Sequence, residues 1–369
     1  MKRYIYADNA AATKLSSSAL EAMLPWLQSD FANPSQPYSF SRAAKTAIKE
    51  SRQIIADCIG ASSDEIFFTS GGTESDNWAI KGTATAFSAI VISEIEHHAV
   101  LNSCKAMAAG GANVKYLKPT RDGVILPNEL EKTCSDTSLV SVMLANNEIG
   151  TIQPICELCK IAHTHGALFH TDAVQAVGHI PVDVKSLGVD MLSASAHKFN
   201  GPKGVGFLYI KSGTPLLPLH DGGSQENGKR AGTENVAGIV GMATALKENC
   251  ERMSQTAKRL YGYEKLLIDN LSGLDFIRNG SEAHLPGVIN LSFKGASGEA
   301  ILHRMDLKGI CISTGSACDS VNTQVSHVIR AIGVPEEYAR GTIRISIGAD
   351  NTEEDVVTIA KALKQILSR

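Results

Sequence analysis

The feature that most constrains this chain is a repeated exchange between short β-branched or apolar runs and longer stretches of helical periodicity. Ile66-Phe67-Phe68-Thr69 is followed by a helical pattern over residues 74–86, and Ala89-Ile90-Val91-Ile92-Ser93 by another over 99–109. The exchange continues through Leu139-Val140-Ser141-Val142-Met143-Leu144, a helix over 155–164, and Leu168-Phe169-His170-Thr171-Asp172. Such alternation predicts an α/β fold whose mainly parallel sheet is covered by helices on both faces. The nearly unbroken apolar character of residues 139–144 predicts a strand buried on both sides. In sheets of this kind, function sits in the loops at the carboxyl ends of the strands.

A polar helical stretch over about 235–270, with Lys247, Glu248, Glu251, Arg252, Lys258 and Arg259, leads into a second region. There, residues 287–293, 310–313 and 342–347 read as strands, and 298–305, 324–332 and 352–367 as helices. The 369 residues are expected to divide into a large domain over 13–250 and a smaller α/β domain built from 1–12 and 251–369. About two domains is also what the length suggests. No internal repeat or heptad pattern interrupts this reading.

Lys and Arg total 35 against 38 Asp and Glu, spread along the chain. That balance gives no electrostatic footprint for direct nucleic-acid binding. No apolar run approaches the roughly 18 residues needed to span a bilayer, so no membrane association is expected. At the N-terminus, Asp8 and Asn9 arrive before an apolar signal core could form, which predicts a cytoplasmic protein. Eight cysteines are too sparse for a disulfide framework, so each thiol reads as core filler, metal ligand or reagent.

Three clusters carry candidate chemistry. In Ser193-Ala194-Ser195-Ala196-His197-Lys198-Phe199-Asn200-Gly201-Pro202, a lysine sits among small residues beside a histidine. This suits a Schiff-base lysine, whose amine must be desolvated or placed near cations to be partly neutral, and it equally suits a surface lysine in a turn. Asp172 ends an apolar strand, where a buried carboxylate needs a partner. A pyridinium nitrogen is one such partner, and an N-cap role in the next helix is the alternative. Thr69-Ser70-Gly71-Gly72-Thr73-Glu74-Ser75 follows a strand and opens a helix, where free N–H groups and the helix dipole favour a phosphate. Many ordinary strand-to-helix turns share that pattern.

Taken together and in order, these clusters resemble the cysteine desulfurases of the NifS/IscS type, within the class V aminotransferases of pyridoxal-phosphate fold type I. The resemblance runs from Asp8-Asn9-Ala10-Ala11-Ala12-Thr13 to Arg344. Between them lie Asn33-Pro34-Ser35, the Gly71-Gly72 turn, Glu96-His97, Asn146-Asn147-Glu148-Ile149-Gly150, Asp172 to Gln175 and Ser195 to Lys198. Gly222-Gly223-Ser224-Gln225-Glu226, Arg230-Ala231-Gly232-Thr233 and Thr314-Gly315-Ser316-Ala317-Cys318 complete the set.

The resemblance implies a large domain with a seven-stranded type of sheet. It implies Lys198 as the residue that binds pyridoxal 5'-phosphate covalently, Asp172 at the pyridine nitrogen, and Gln175 at the ring hydroxyl. Gly72, Thr73, Ser195 and His197 would hold the phosphate, with Thr233 contributed by the second subunit of a homodimer. His97 would stack on the ring and assist catalysis, while Asn147 and Arg344 would hold the substrate carboxylate. A planar guanidinium suits that task.

Cys318 separates desulfuration from transamination. It lies in a run of small and polar residues, about 313–325, without periodicity, which predicts a mobile loop able to collect sulfur and deliver it elsewhere. By resemblance the substrate is L-cysteine, the products are L-alanine and a Cys318 persulfide, and the persulfide passes to an acceptor protein in iron-sulfur assembly or thiolation. Selenocysteine lyase or another class V aminotransferase activity is the alternative reading. Asp319 stands where the family often has Thr, and its charge would raise the thiol pKa above the usual value of about 8.5. Ala231 replaces a common Ser. Cys156, Cys159, His163 and His165 superficially offer zinc ligands, but Cys156, Cys159 and His163 recur at helical spacing, so no metal is expected. Cys58, Cys104, Cys134, Cys250 and Cys311 read as isolated core residues.

Overall fold

The fold is known from a computed structural model, which describes residues 4–83, 88–315 and 325–368. Its strands, in chain order, are β1 (Ile5–Tyr6), β2 (Ile66–Thr69), β3 (Ala89–Ser93), β4 (Asn113–Leu117), β5 (Leu139–Ser141) and β6 (Leu168–Asp172). They continue with β7 (Met191–Ser195), β8 (Gly206–Ile210), β9 (Phe276–Asn279), β10 (Val288–Phe293), β11 (Ile310–Cys311) and β12 (Thr342–Ser346). Seven of them form one sheet in the order β2-β8-β7-β6-β5-β3-β4. β8 runs antiparallel to both of its neighbours, and the remaining pairs are parallel. This is the mainly parallel sheet that the alternating sequence predicts, with the seven strands that the resemblance implies.

The helix Ile155–Thr164 falls where its periodicity places it. β5 is shorter than expected, because the ladder ends at Ser141. Val142, Met143 and Leu144 remain buried, and the N–H groups of Val142 and Leu144 still donate to the carbonyls of His170 and Asp172 at 3.2 and 2.8 Å. The apolar run therefore marks burial correctly while the regular strand stops halfway along it.

The helix Val236–Asn270 has 35 residues and joins two hydrophobic cores. Ile239, Met242, Ala243, Ala245 and Leu246 enter the core beneath the large sheet. Leu260 and Leu267 enter a second core, with Ile289, Leu291, Ile343, Ile345 and Leu363. That core lies on the antiparallel sheet β12-β10-β9 and the parallel pair β1-β11. The start of the chain is thus tied to its last third, since Asp8 also bridges to Ser346. Two further helices, Ser17–Gln28 and Arg42–Ile59, lie against the long helix. The second buries Ala44, Ala47, Ile48, Ser51, Ile55, Ala56 and Ile59 along one amphipathic face.

Two sequence readings of cysteine are corrected by the packing. Cys58 and Cys250 are not isolated, because their thiols share a hydrogen bond that raises the Cys58 pKa and lowers that of Cys250. The core-facing stripe of the 155–164 helix is Ile155, Leu158, Cys159 and Ala162; Cys156 is half-buried and His163 faces outward. His163 Nε2 lies 2.8 Å from Asp190 Oδ2, whereas His165 Nε2 pairs with Glu131 at 3.1 Å. Cys159 Sγ lies 3.7 Å from His163 Nε2, but the two histidines turn to different acids.

Candidate active site

β6 and β7 are parallel neighbours, so their carboxyl ends bring Asp172 and Ser195 to one edge of the sheet. A single 3-10 turn, Ala196–Lys198, then carries His197 and Lys198 over that edge. A cavity of about 260 Å³ opens there. Of the residues nominated from sequence, Gly72, Thr73, His97, Asn147, Asp172, Gln175, Ser195, His197, Lys198 and Arg344 all line it. Thr233 does not; it lines a separate cavity of about 160 Å³ with Glu226 and Arg230. Cys318 lies outside the described residues.

The Asp8–Thr13 segment straps across the Lys198 turn. Lys198 Nζ donates to the carbonyls of Ala10 and Ala11 at 2.6 and 2.9 Å, and Gln175 Nε2 donates to Ala10 at 2.9 Å. Thr13 N–H donates to the His197 carbonyl at 2.8 Å. Behind the turn, half-buried His179 Nε2 donates to the Lys198 carbonyl at 2.8 Å. Burial lowers the His179 pKa, so this imidazole is neutral and carries its proton on Nε2.

At the Gly72 end of the cavity, the neighbouring side chains approach the backbone closely. A Cβ on Gly72 would stand 2.6 Å from Val174 Cγ2, and Gly71 adopts φ 147, a backbone that side chains rarely allow. The helix Gly72–Thr83 begins here, with its positive dipole end at the cavity. His197 Nδ1 is buried and has no partner in the structure. Burial, then Lys198 and Lys203, pushes the His197 pKa down to about 4. An anionic ligand would answer both features.

At the opposite end, Asp172 is buried and accepts from Val174 N–H at 2.9 Å. Burial raises its pKa, while His97 and Lys198 oppose the shift. His97 caps the helix His98–Ala109, its Nδ1 accepting from Ala99 N–H at 3.1 Å. Burial lowers its pKa, which leaves a neutral ring with its proton on Nε2.

Arg344, on β12, reaches the cavity from the smaller sheet. Its side chain is 2 % exposed, and Nη2 meets Asp8 Oδ1 at 2.7 Å. Nη1 donates to the Asn147 carbonyl at 3.0 Å, and Nε is buried without a partner. An acidic ligand could therefore be bound by a guanidinium that is already held in place. Asp8→Ala would leave this cation buried and uncompensated, so a loss of about 3–5 kcal/mol in unfolding free energy is expected in urea titrations. A loss below about 1 kcal/mol would mean that water replaces the carboxylate.

Pyridoxal phosphate fits this donor set. The cavity offers a primary amine for its aldehyde, an anion for its ring nitrogen, and a glycine-lined helix start with an orphaned imidazole for its phosphate. Residues 5–359 match the family Aminotransferase class-V. The chain belongs to that family. It is 50% identical over 377 residues to "Cysteine desulfurase IscS" of Dictyoglomus turgidum, covering 100% of this chain and 96% of the relative. The solved "NIFS-LIKE PROTEIN" superposes with a TM-score of 0.94 at 39% identity, over 99% of this chain and all of the other. "SspA in complex with cysteine" has a TM-score of 0.85 at 37% identity, over 94% and 100% of the two chains. The family is pyridoxal-phosphate-dependent, in keeping with the geometry.

Several site residues escape sequence reading in this class-V member. Asp8 partners Arg344 from 336 positions away, and no local pattern announces it. Asp76 also lines the cavity; its only signal is spacing, three and four residues beyond Thr73 and Gly72 on a helix. Asp76, His97 and Asp172 bring ligand-type atoms within 4.8 Å of one another.

Proposed function

We propose that this protein is a cytoplasmic cysteine desulfurase that converts L-cysteine to L-alanine and places the sulfur on Cys318 as a persulfide. The observation that carries the reading is the convergence of the Lys198 amine, the Asp172 carboxylate, neutral His97 and the Arg344 guanidinium in one buried cavity. The full-length likeness to cysteine desulfurases supports it.

When bound, pyridoxal phosphate supplies an electron sink for charge developing at the substrate Cα. Lys198, Asp172 and Gln175 would hold its ring, with His97 stacked on it. Gly72, Thr73, Ser195 and His197 would hold its phosphate, and Thr233 of a second copy would complete that end in a homodimer. Arg344 and Asn147 orient the substrate carboxylate, which fixes where Cα and its proton lie relative to Lys198. The Lys198 amine takes that proton. His97, with its hydrogen on Nε2, is placed to donate a proton. The Cys318 thiolate attacks the substrate sulfur, the Cβ–S bond breaks, and Cβ gains a proton to become the methyl of alanine. Cysteine plus thiol thus gives alanine plus persulfide, with no external oxidant or reductant.

An acceptor protein of iron-sulfur assembly or a thiolation system then takes the sulfur from Cys318. Incubation of the holoenzyme with L-cysteine should yield alanine, with sulfide released in equal amount when a thiol reductant is present. Formation of a free keto acid in place of alanine would refute the reading.

A further inference from the structure

Asp76 has no place in the mechanism above, yet it points into the same cavity from the helix whose start cradles the phosphate end. Its side chain is 2 % exposed, and Oδ1 is buried without a hydrogen-bond partner. An oxygen of Asp76, an oxygen of Asp172 and a ring nitrogen of His97 lie within 4.8 Å of one another. The other groups facing Asp76 are His170 on β6, with Nε2 3.7 Å from Oδ1, Ser193 on β7, and Glu96.

None of these neighbours offers a positive charge. Both ring nitrogens of His170 meet serine hydroxyls, Ser141 at 2.8 Å and Ser193 at 2.9 Å, and burial pushes its pKa down to about 3. Burial keeps His97 neutral as well. Glu96 is another buried acid, pushed up to about 8 by desolvation. Two buried carboxyl groups so near each other do not both ionise; they hold one proton between them. Burial, then the charge of Asp172, raises Asp76 well above the usual carboxylate range.

We propose that Asp76 is a positioning residue that stays a neutral carboxylic acid and donates its hydrogen to Asp172, making Asp172 the one anion presented to the cofactor's ring nitrogen. This rests on the cofactor reading above and assigns a residue to it. The hydrogen bond stabilises the charged form of Asp172. Without it, Asp172 becomes a stronger base, competes for the proton on the ring nitrogen, and weakens the ion pair that anchors the ring.

The test is made on holoenzyme carrying pyridoxal phosphate labelled with 15N in the ring. In the wild-type protein at neutral pH the 15N shift should report a protonated nitrogen. Asp76→Asn keeps a donor and should preserve that shift and the cofactor affinity. Asp76→Leu should move the shift toward the unprotonated value and weaken binding about tenfold, the equivalent of one pKa unit. If Asn behaves like Leu, or Leu like wild type, the assignment is overturned.

Should the Leu variant fail to fold, infrared difference spectra of wild-type and Asp76→Asn holoenzymes decide. A protonated carboxyl stretch present only in the wild type supports the assignment, and its absence refutes it. A wild-type protein that binds no pyridoxal phosphate overturns the cofactor reading and this assignment together. A bound cofactor indifferent to Asp76 overturns the assignment alone.

Discussion

Lys198→Ala is expected to reduce alanine formation from L-cysteine by about 10⁴-fold or more, the combined scale of losing a proton acceptor and a covalent anchor. The structure explains why no neighbour should compensate. Within the cavity the nearby basic groups are His97, whose Nδ1 is committed to the Ala99 N–H, His197, whose pKa is pushed down to about 4, and Arg344, whose guanidinium is tied to Asp8. Folding should survive, because the hydrogen bonds lost from Nζ to the carbonyls of Ala10 and Ala11 are modest. At roughly 0.5–1.5 kcal/mol each, these are small beside the 5–15 kcal/mol stability of a typical domain. Visible absorbance and a cysteine assay check the result: the variant should lack the covalently bound cofactor band while its melting transition stays cooperative. A variant that turned over at even one-tenth of the normal rate would show that proton removal is done elsewhere.

The same residues show how far sequence alone reaches. Alternating periodicity exposes β2, β3, β6 and the helix Ile155–Thr164 because each buries a regular pattern of side chains within a few residues. The Ser195–Lys198 turn and Asp172 are visible for a related reason: both end apolar strands that lie side by side in the sheet. What the sequence conceals is set by distant packing. Asp8 and Arg344 meet because β1 joins β11 and Asp8 bridges to Ser346, a closure that two-residue strands cannot advertise. Cys58 and Cys250 meet because two helices cross. The strand ending at Ser141 is hidden for the opposite reason, since burial continues to Leu144 after the ladder stops. Asp76 looks like any acid in a helix until its neighbours are known to be another acid and a neutral histidine.

Cys318→Ala separates cofactor chemistry from sulfur capture. The variant should bind pyridoxal phosphate with an unchanged absorbance band, because the cavity residues assigned to the cofactor, from Gly72 to Lys198, are untouched. L-cysteine should still bind, since its carboxylate is assigned to Arg344 and Asn147. Alanine formation, however, should fall by about 10³-fold or more, the scale at which enzymes lose turnover when a nucleophile is removed. Sulfur that leaves Cβ needs an electron-pair donor, and no other cysteine among the described residues lines the cavity. Cys104 and Cys159 are also raised to about 12 by burial, which leaves them almost wholly protonated at neutral pH and poor nucleophiles. Mass spectrometry after cysteine treatment should therefore find an added 32 Da, approximately one sulfur atom, on Cys318 in the wild type and on no cysteine in the variant. A variant that still accumulates protein-bound sulfur would move the nucleophile to another thiol, whereas one that loses the cofactor band would make Cys318 part of the binding site.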